Sequence, residues 1–378
     1  MLHLHLSNRF ERLEALLLER LATHGDDPFE PDTVVVPSAA VQRRLTLAIA
    51  RAHGVCAGVE FGFLAQWLWR QMRRVLPQIP ETSPLAPAVL AWRIYAALGD
   101  AAFVAGQPRL QRYLDGADEL MRLELSQRIA TLLDQYATYR PGWLGRWQDG
   151  ERVIDPAGTG AAGAADEAWQ AALWQRLAAD LGLAATHPAA GFVAALESGG
   201  EALARRAGLP PCAHLFALPT LPPLHAELLA RLGRWTELHV YLLNPCQEYW
   251  YEVVDRKRLA WLAKRGRAEG HEVGNRLLAA WGRQTQALVD TLLDRSGDAA
   301  IDDHRFEPAP GASLLARWQN AVLAMEELAP GSVELAVDDR SVELHVCHSL
   351  TRELEVLHDR LLAMFAADPT LQPGDVLV

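Results

Sequence analysis

The chain has 378 residues, half of them apolar and 22% charged, and carries a net charge of −11. That length calls for two or three domains with a sizeable core, no run reaches the roughly 18 apolar residues of a membrane span, and the acidic balance excludes a surface coated throughout with nucleic acid. Four scattered cysteines (Cys56, Cys212, Cys246, Cys347) fit inert thiols in a reducing cytoplasm and not a disulfide framework.

Taken in chain order, His3 to Leu6 alternates as a strand does. Arg9 to Ala22 spaces its leucines helically among Arg and Glu, which makes an amphipathic helix and not a signal peptide. Val34 to Val36 reads as a buried strand, Pro37-Ser38 as a turn, and Val41 to Ala52 as a helix stopped by Gly54. Phe63 to Leu76 is another helix, closed by Pro77 and Pro80. This βαβα order predicts a parallel sheet. Pro84 to Ser198 is nearly all helical (Ala88–Leu98, Arg109–Leu114, Leu120–Tyr139, Glu167–Leu181, Ala189–Leu196), with Asp155–Asp166, DPAGTGAAGAAD, as a flexible loop. The block reads as a helical insertion.

The sheet pattern then returns. His214–Leu218 is a predicted strand, Pro223–Leu232 a helix opened by prolines, Glu237–Asn244 a strand and Gly274–Leu293 a long helix. Residues 296 to 311 read as loop. Ser341–His348 is a predicted strand, Thr351–Phe365 a helix with charged faces, and Asp375–Val378 the start of a further strand.

The turn at Pro37-Ser38 sits where many nucleotide-binding proteins cradle a phosphate. Such a cradle needs glycines for its backbone N–H groups and a lysine to reach the phosphates. The only lysines here are Lys257 and Lys264, and the turn has no glycine, so no ATP site is expected. His3 and His5 share a strand face, and His345, Cys347 and His348 form a second group. Two ligands do not make a metal site, so these read as structural or surface side chains. No G-x-S-x-G occurs, and the carboxylate–lysine set of a two-metal nuclease is missing. No catalytic residue is therefore assigned. The pairs Trp143/Trp147 and Trp169/Trp174 read as core.

One window runs against the overall charge. Arg43, Arg44, Arg51, Arg70, Arg73 and Arg74 face a single acid, Glu60, with Phe61, Phe63, Trp67 and Trp69 among them. Arg70, Arg73 and Arg74 share one helix face. Two readings stand: a nucleic-acid footprint, or a solvated helix face beside core aromatics. On this feature alone the second is favoured.

Several rare strings decide between them: SNRFERLEAL, FGFLAQWLW, VLPQIPE, LLDQYATYRPGWL, YLLNPCQEYW, VGNRLLAAWG and HVCHSLTRELEVLHDRLLAMFAADPTLQPGDVLV. In this order they resemble the N-terminal part of the RecC family, the gamma subunit of exodeoxyribonuclease V, the RecBCD helicase-nuclease. The resemblance runs from end to end of this chain, although RecC chains continue well beyond it. It implies an α/β, superfamily 1 helicase-like core that has lost its ATP site. Residues 1–82 and 205–330 would form that core, 83–204 an all-helical insertion, and 331–378 the start of a second helicase-like domain, cut short. Helix predominates throughout.

The implied function is that of a DNA-binding, non-motor subunit in double-strand break repair by recombination. Such a subunit splits duplex ends, channels single-stranded DNA and scans it for a Chi-like sequence. ATP and Mg²⁺ would be used by RecB-like and RecD-like partners in a heterotrimer, and no cofactor by this chain. DNA contacts are expected at Arg43, Arg44, Phe63, Trp67, Trp69, Arg70, Arg73, Arg74, Leu132, Asp134 and Arg140. The family's Chi-reading positions fall on Pro37, Ala39, Arg43, Phe63, Trp69, Leu132, Asp134 and Arg140. At 37, 39 and 43 the well-known enterobacterial member of the family carries amide and hydroxyl groups that can read base edges. Proline, alanine and arginine there imply a different recognised sequence, or binding without reading. The rival expectation is a structural scaffold that only holds other subunits.

Overall fold

The computed structural model describes residues 1–22, 31–154, 156–182, 187–296 and 300–376. Six strands form one all-parallel sheet in the order β3-β2-β4-β5-β1-β6. They are β1 (Leu2–Ser7), β2 (Asp32–Val35), β3 (Val59–Gly62), β4 (Cys212–Phe216), β5 (Glu237–Leu243) and β6 (Ala300–His304).

The helices, in chain order, are α1 (Phe10–Leu21), α2 (Ala39–His53), α3 (Leu64–Val75), α4 (Pro87–Leu98), α5 (Ala101–Ala105), α6 (Pro108–Leu114), α7 (Glu119–Tyr139), α8 (Pro141–Gln148), α9 (Pro156–Leu181), α10 (Ala189–Arg206), α11 (Pro223–Leu232), α12 (Arg256–Ala263), α13 (Arg276–Trp281), α14 (Arg283–Ser296), α15 (Leu314–Leu323) and α16 (Leu350–Ala367). None of the described helices is long and apolar enough to cross a membrane.

Residues of successive parity along the strands build two different cores. Leu2, Leu4 and Leu6 of β1, with Leu238, Val240 and Leu242 of β5, face a layer made by α3, α10, α11 and α14. On the other face Val34, Phe216 and Tyr241 meet Leu13, Leu16 and Leu17 of α1 and Leu45 and Ile49 of α2. Burial on both faces is what a parallel sheet with helical crossovers requires. A third core belongs to α4, α6, α7, α8 and α9, around Ile94, Leu133, Trp147 and Trp174. This is the helical block, with Trp147 and Trp174 in its centre as expected. The helix α10 buries Phe192 and Leu196 in the sheet's core, so the block's own core ends with α9.

Several expectations need correction. Val59–Gly62 is a strand that the pattern hid, because its four residues are all only half-buried at the sheet's edge. Ala300–His304, read as loop, is the opposite edge strand. The segment read as a loop at Asp155–Asp166 is helical from Pro156 onward, while Asp155 lies outside the described residues. The long helix of Gly274–Leu293 is broken at Gly282, where a Cβ would come within 2.6 Å of the Trp250 ring.

Two compact units result, Met1–Glu307 and Pro308–Val378. The second holds α15, α16 and a 3₁₀ turn at Pro373–Asp375. Ser341–His348, predicted as a strand, makes none. Val342, Leu344 and Val346 keep the alternation of a strand but stand 38, 90 and 89% exposed. A strand exists by pairing, and no described neighbour offers the ladder. Asp375 lies in the 3₁₀ turn and not in a strand, and Leu377 and Val378 fall outside the described residues.

Candidate nucleic-acid interface

In a parallel sheet every helix that follows a strand starts at the carboxyl edge, where ligands of such folds collect. Here β2 and β3 are neighbours, Val35 lies opposite Gly62, and the Val36 N–H donates to the Gly62 carbonyl at 2.9 Å. The turn Pro37-Ser38 and the junction at Phe63 therefore sit side by side. Ser38 caps α2, its hydroxyl accepting from the Val41 N–H at 3.3 Å. One N–H of the first turn is thus satisfied from within the chain. Ala39 and Ala40 are exposed.

Around this edge the predicted residues divide. Arg43, on the second turn of α2, is exposed and has no hydrogen-bond or ion-pair partner among the described residues. Phe63, the N-cap residue of α3, is 38% exposed. These two remain open to a ligand. Arg44 is committed elsewhere: it bonds Glu14 at 2.8 Å, approaches Glu11 at 3.5 Å and stacks over Phe10 at 4.7 Å. The bond it donates to Glu14 raises its pKa further, so the guanidinium is charged but already matched.

The face of α3 is less unified than its spacing implies. Arg70 pairs with Glu60 on β3, and Arg73 donates to the Ile79 carbonyl at 3.4 Å. Arg74 donates to the Gly208 carbonyl. Gly208 precedes β4, at the amino edge, so this row of arginines leads away from the Pro37 turn. Trp67 is 1% exposed and belongs to the sheet's core, which withdraws it from any base-stacking role. Trp69 is half-buried, donates its indole N–H to the Pro80 carbonyl at 3.1 Å and meets His187 edge-on.

The remaining predicted residues lie on the helical block. Leu132, half-buried on α7, lines a polar depression with Gln127, Arg128, Thr131 and Gln135. Asp134 is exposed, yet desolvation by nearby protein raises its pKa. Arg140, between α7 and α8, is exposed and stacks over Trp143 at 4.5 Å. No hydrogen bond, ion pair or ring contact among the described residues joins Leu132, Asp134 or Arg140 to α2 or α3.

Sequence reasoning missed the other corners of the carboxyl edge. Ala217, just after β4, has φ 49°, a left-handed conformation uncommon for a residue with a Cβ. Asn8, after β1, donates to the Glu307 carbonyl at 2.8 Å and accepts from its N–H at 3.0 Å. Asn244, after β5, accepts from the Trp250 indole at 2.9 Å. Two asparagines directly after strands were the legible signal, since Asx side chains hold turns.

Comparison with known proteins places this architecture in context. The family model described as RecC, N-terminal domain, matches residues 2–325. The chain is 33% identical to the RecBCD enzyme subunit RecC of Escherichia coli, covering all of this chain and 36% of the relative. It is 28% identical to that of Haemophilus influenzae, with 98% of this chain and 37% of the relative covered. It is 30% identical to that of Mycolicibacterium smegmatis, covering all of this chain and 33% of the relative. The chain thus spans about a third of the length of these curated relatives.

Proposed function

This chain belongs to the RecC family through its N-terminal domain, and from that premise we propose that it is a DNA-binding, non-motor part of a RecBCD-type helicase-nuclease. Its partners would be RecB-like and RecD-like subunits, which consume ATP with Mg²⁺, and its setting recombinational repair of double-strand breaks in the cytoplasm. The sheet would be a superfamily 1 helicase-like core whose nucleotide corner no longer serves a nucleotide. Residues 331–378, with their uncovered strand-like pattern, would open a second helicase-like domain.

The observation that carries this reading is the carboxyl edge at β2 and β3. There a self-capped turn without glycine or lysine stands beside Phe63 and below Arg43, one exposed aromatic ring and one unmatched cation. A ring of that kind stacks on an unpaired base, and a free guanidinium neutralises a phosphate. Trp69, Arg70, Arg73, Arg74, Leu132, Asp134 and Arg140 would extend the path of the strand, the paired arginines exchanging their present partners for phosphate. With proline, alanine and arginine at 37, 39 and 43, sequence reading at this corner would rest on shape and stacking more than on base-edge hydrogen bonds.

The test is a titration of the chain with fluorescent single-stranded oligonucleotides at several salt concentrations. Affinity should fall linearly with salt on a double-logarithmic plot, and Arg43→Ala should flatten that slope by about 1. Salt-independent binding, or binding indifferent to both Arg43→Ala and Phe63→Ala, would remove the proposal's basis.

A scaffold role has one observation in its favour. Leu350, Leu354, Leu357, Leu362 and Met364 of α16 are all exposed, from 36 to 71%, as on a helix that contacts another polypeptide. A pure scaffold would keep DNA processing intact in the assembled complex when Phe63 and Arg43 are replaced.

A further inference from the structure

The histidines of the central strands form a cluster that the DNA reading leaves unused. Pairing sets His3 of β1 and His214 of β4 on either side of His239 of β5. Their rings stack across the sheet, at 4.8 Å between His3 and His239 and 5.3 Å between His214 and His239. His5, two residues beyond His3, has its Nε2 3.1 Å from His239 Nδ1. Glu237, two residues before His239, has its Oε1 3.1 Å from His239 Nε2 and 3.4 Å from His3 Nε2. Strand period places all of these side chains on one face.

We propose that His3 Nε2, His239 Nε2 and Glu237 Oε1 form a binding site for one divalent transition-metal ion of the zinc class, at the amino edge of the sheet. The three donor atoms lie within 4.8 Å of one another. A tetrahedral ion with bonds of about 2.0–2.1 Å spaces its ligand atoms about 3.3 Å apart, which the two contacts of Glu237 already match. His5 acts behind the site. With His239 Nδ1 donating to His5 Nε2, the lone pair of His239 Nε2 points at the carboxylate, and a neighbour that fixes the ring's tautomer in this way is the usual support of a metal-bound imidazole.

The chemistry of the donors agrees. Burial, with nearby positive charge, favours the neutral imidazole of His239, the form in which a ring nitrogen can ligate. Arg20 contributes to that positive field and opposes a cation, while Glu237 brings a carboxylate to the donor set. Cys212, 3.7 Å from His214 Nε2, does not belong to the group of donors that converge within 4.8 Å. Two imidazoles and a carboxylate leave further positions for water on the exposed side of Glu237. An ion there would tie β1 to β5 across residues far apart in the chain, at the end of the sheet opposite the proposed DNA corner.

The test uses the whole chain without a histidine tag, stripped with a chelator and titrated with Zn²⁺ by calorimetry and with Co²⁺ by absorption. One equivalent should bind. Glu237→Gln, at an exposed position, should weaken binding at least tenfold while melting as the stripped wild type does, and His3→Asn, at a half-buried one, should weaken it as much. His5→Phe should weaken it less, as a positioning residue. Cys347→Ser, beside His345 and His348 in the second unit, should leave it unchanged. The Co²⁺ complex should show no thiolate charge-transfer band. Absence of stoichiometric binding, affinity untouched by Glu237→Gln and His3→Asn, or a thiolate band placing the ion on a cysteine would each overturn the proposal.

Discussion

Two stretches of this chain carry almost the same pattern and meet opposite fates. Leu2–Ser7 reads LHLHLS and Ser341–Val346 reads SVELHV. The first becomes a strand paired on both sides, with Leu4 fully buried and Leu6 nearly so. The second stays irregular, with Leu344 and Val346 almost wholly exposed. Alternation makes a segment able to join a sheet, but only neighbouring strands turn that capacity into hydrogen bonds and burial. A smaller version of the contrast lies within the FGFLAQWLW segment, where Trp67 is core and Phe63 is surface.

Substitutions can break or sharpen these contrasts. The largest effects belong to the covered side. Trp67→Ala should lose about 3–5 kcal/mol and Leu4→Ala about 2–5 kcal/mol in chemical denaturation of the first unit. Leu344→Ala should stay within about 0.5 kcal/mol. An equal loss at Leu4 and Leu344 would show that the second stretch is covered after all.

Next comes Glu167, buried in the helical block. Burial alone would raise its pKa, but it accepts from the N–H groups of Val153 and Ile154 and from the Trp147 indole, and these bonds hold it below its ordinary value. Its folded pKa is depressed, so its contribution is present above the unfolded value of 4.5 and fades as the pH falls below it. Glu167→Gln should cost about 1–3 kcal/mol at neutral pH and flatten that acid limb, read by circular dichroism across a pH series.

The surface side of the second contrast should register in binding and hardly in folding. Phe63→Ala should weaken single-strand affinity by about 1–3 kcal/mol while moving the denaturation midpoint little. Arg44→Ala should change DNA affinity less than Arg43→Ala, because Glu14 already holds Arg44. The smallest expected change is in solubility: Val342, Leu344 and Val346 replaced together by threonine should lower binding of a hydrophobic dye without altering stability.

Much of the architecture could be read before any coordinates. The parallel order, the helical block and its tryptophan core, and the odd turn at Pro37-Ser38 all follow from local pattern. Short edge strands could not be read, because Val59–Gly62 is half-buried and has no clean alternation. The helix from Pro156 hid behind its glycines. The candidate DNA site was legible by residue type and not by geometry: spacing put Arg70, Arg73 and Arg74 on one face, but could not show that Glu60 and the Ile79 and Gly208 carbonyls occupy them. The histidine cluster was beyond reach for a simpler reason, since His5 and His239 stand 234 residues apart.

Ser38 has one more consequence. Its hydroxyl already accepts from the Val41 N–H, so an anion arriving at the start of α2 would meet one free donor fewer than an uncapped helix offers.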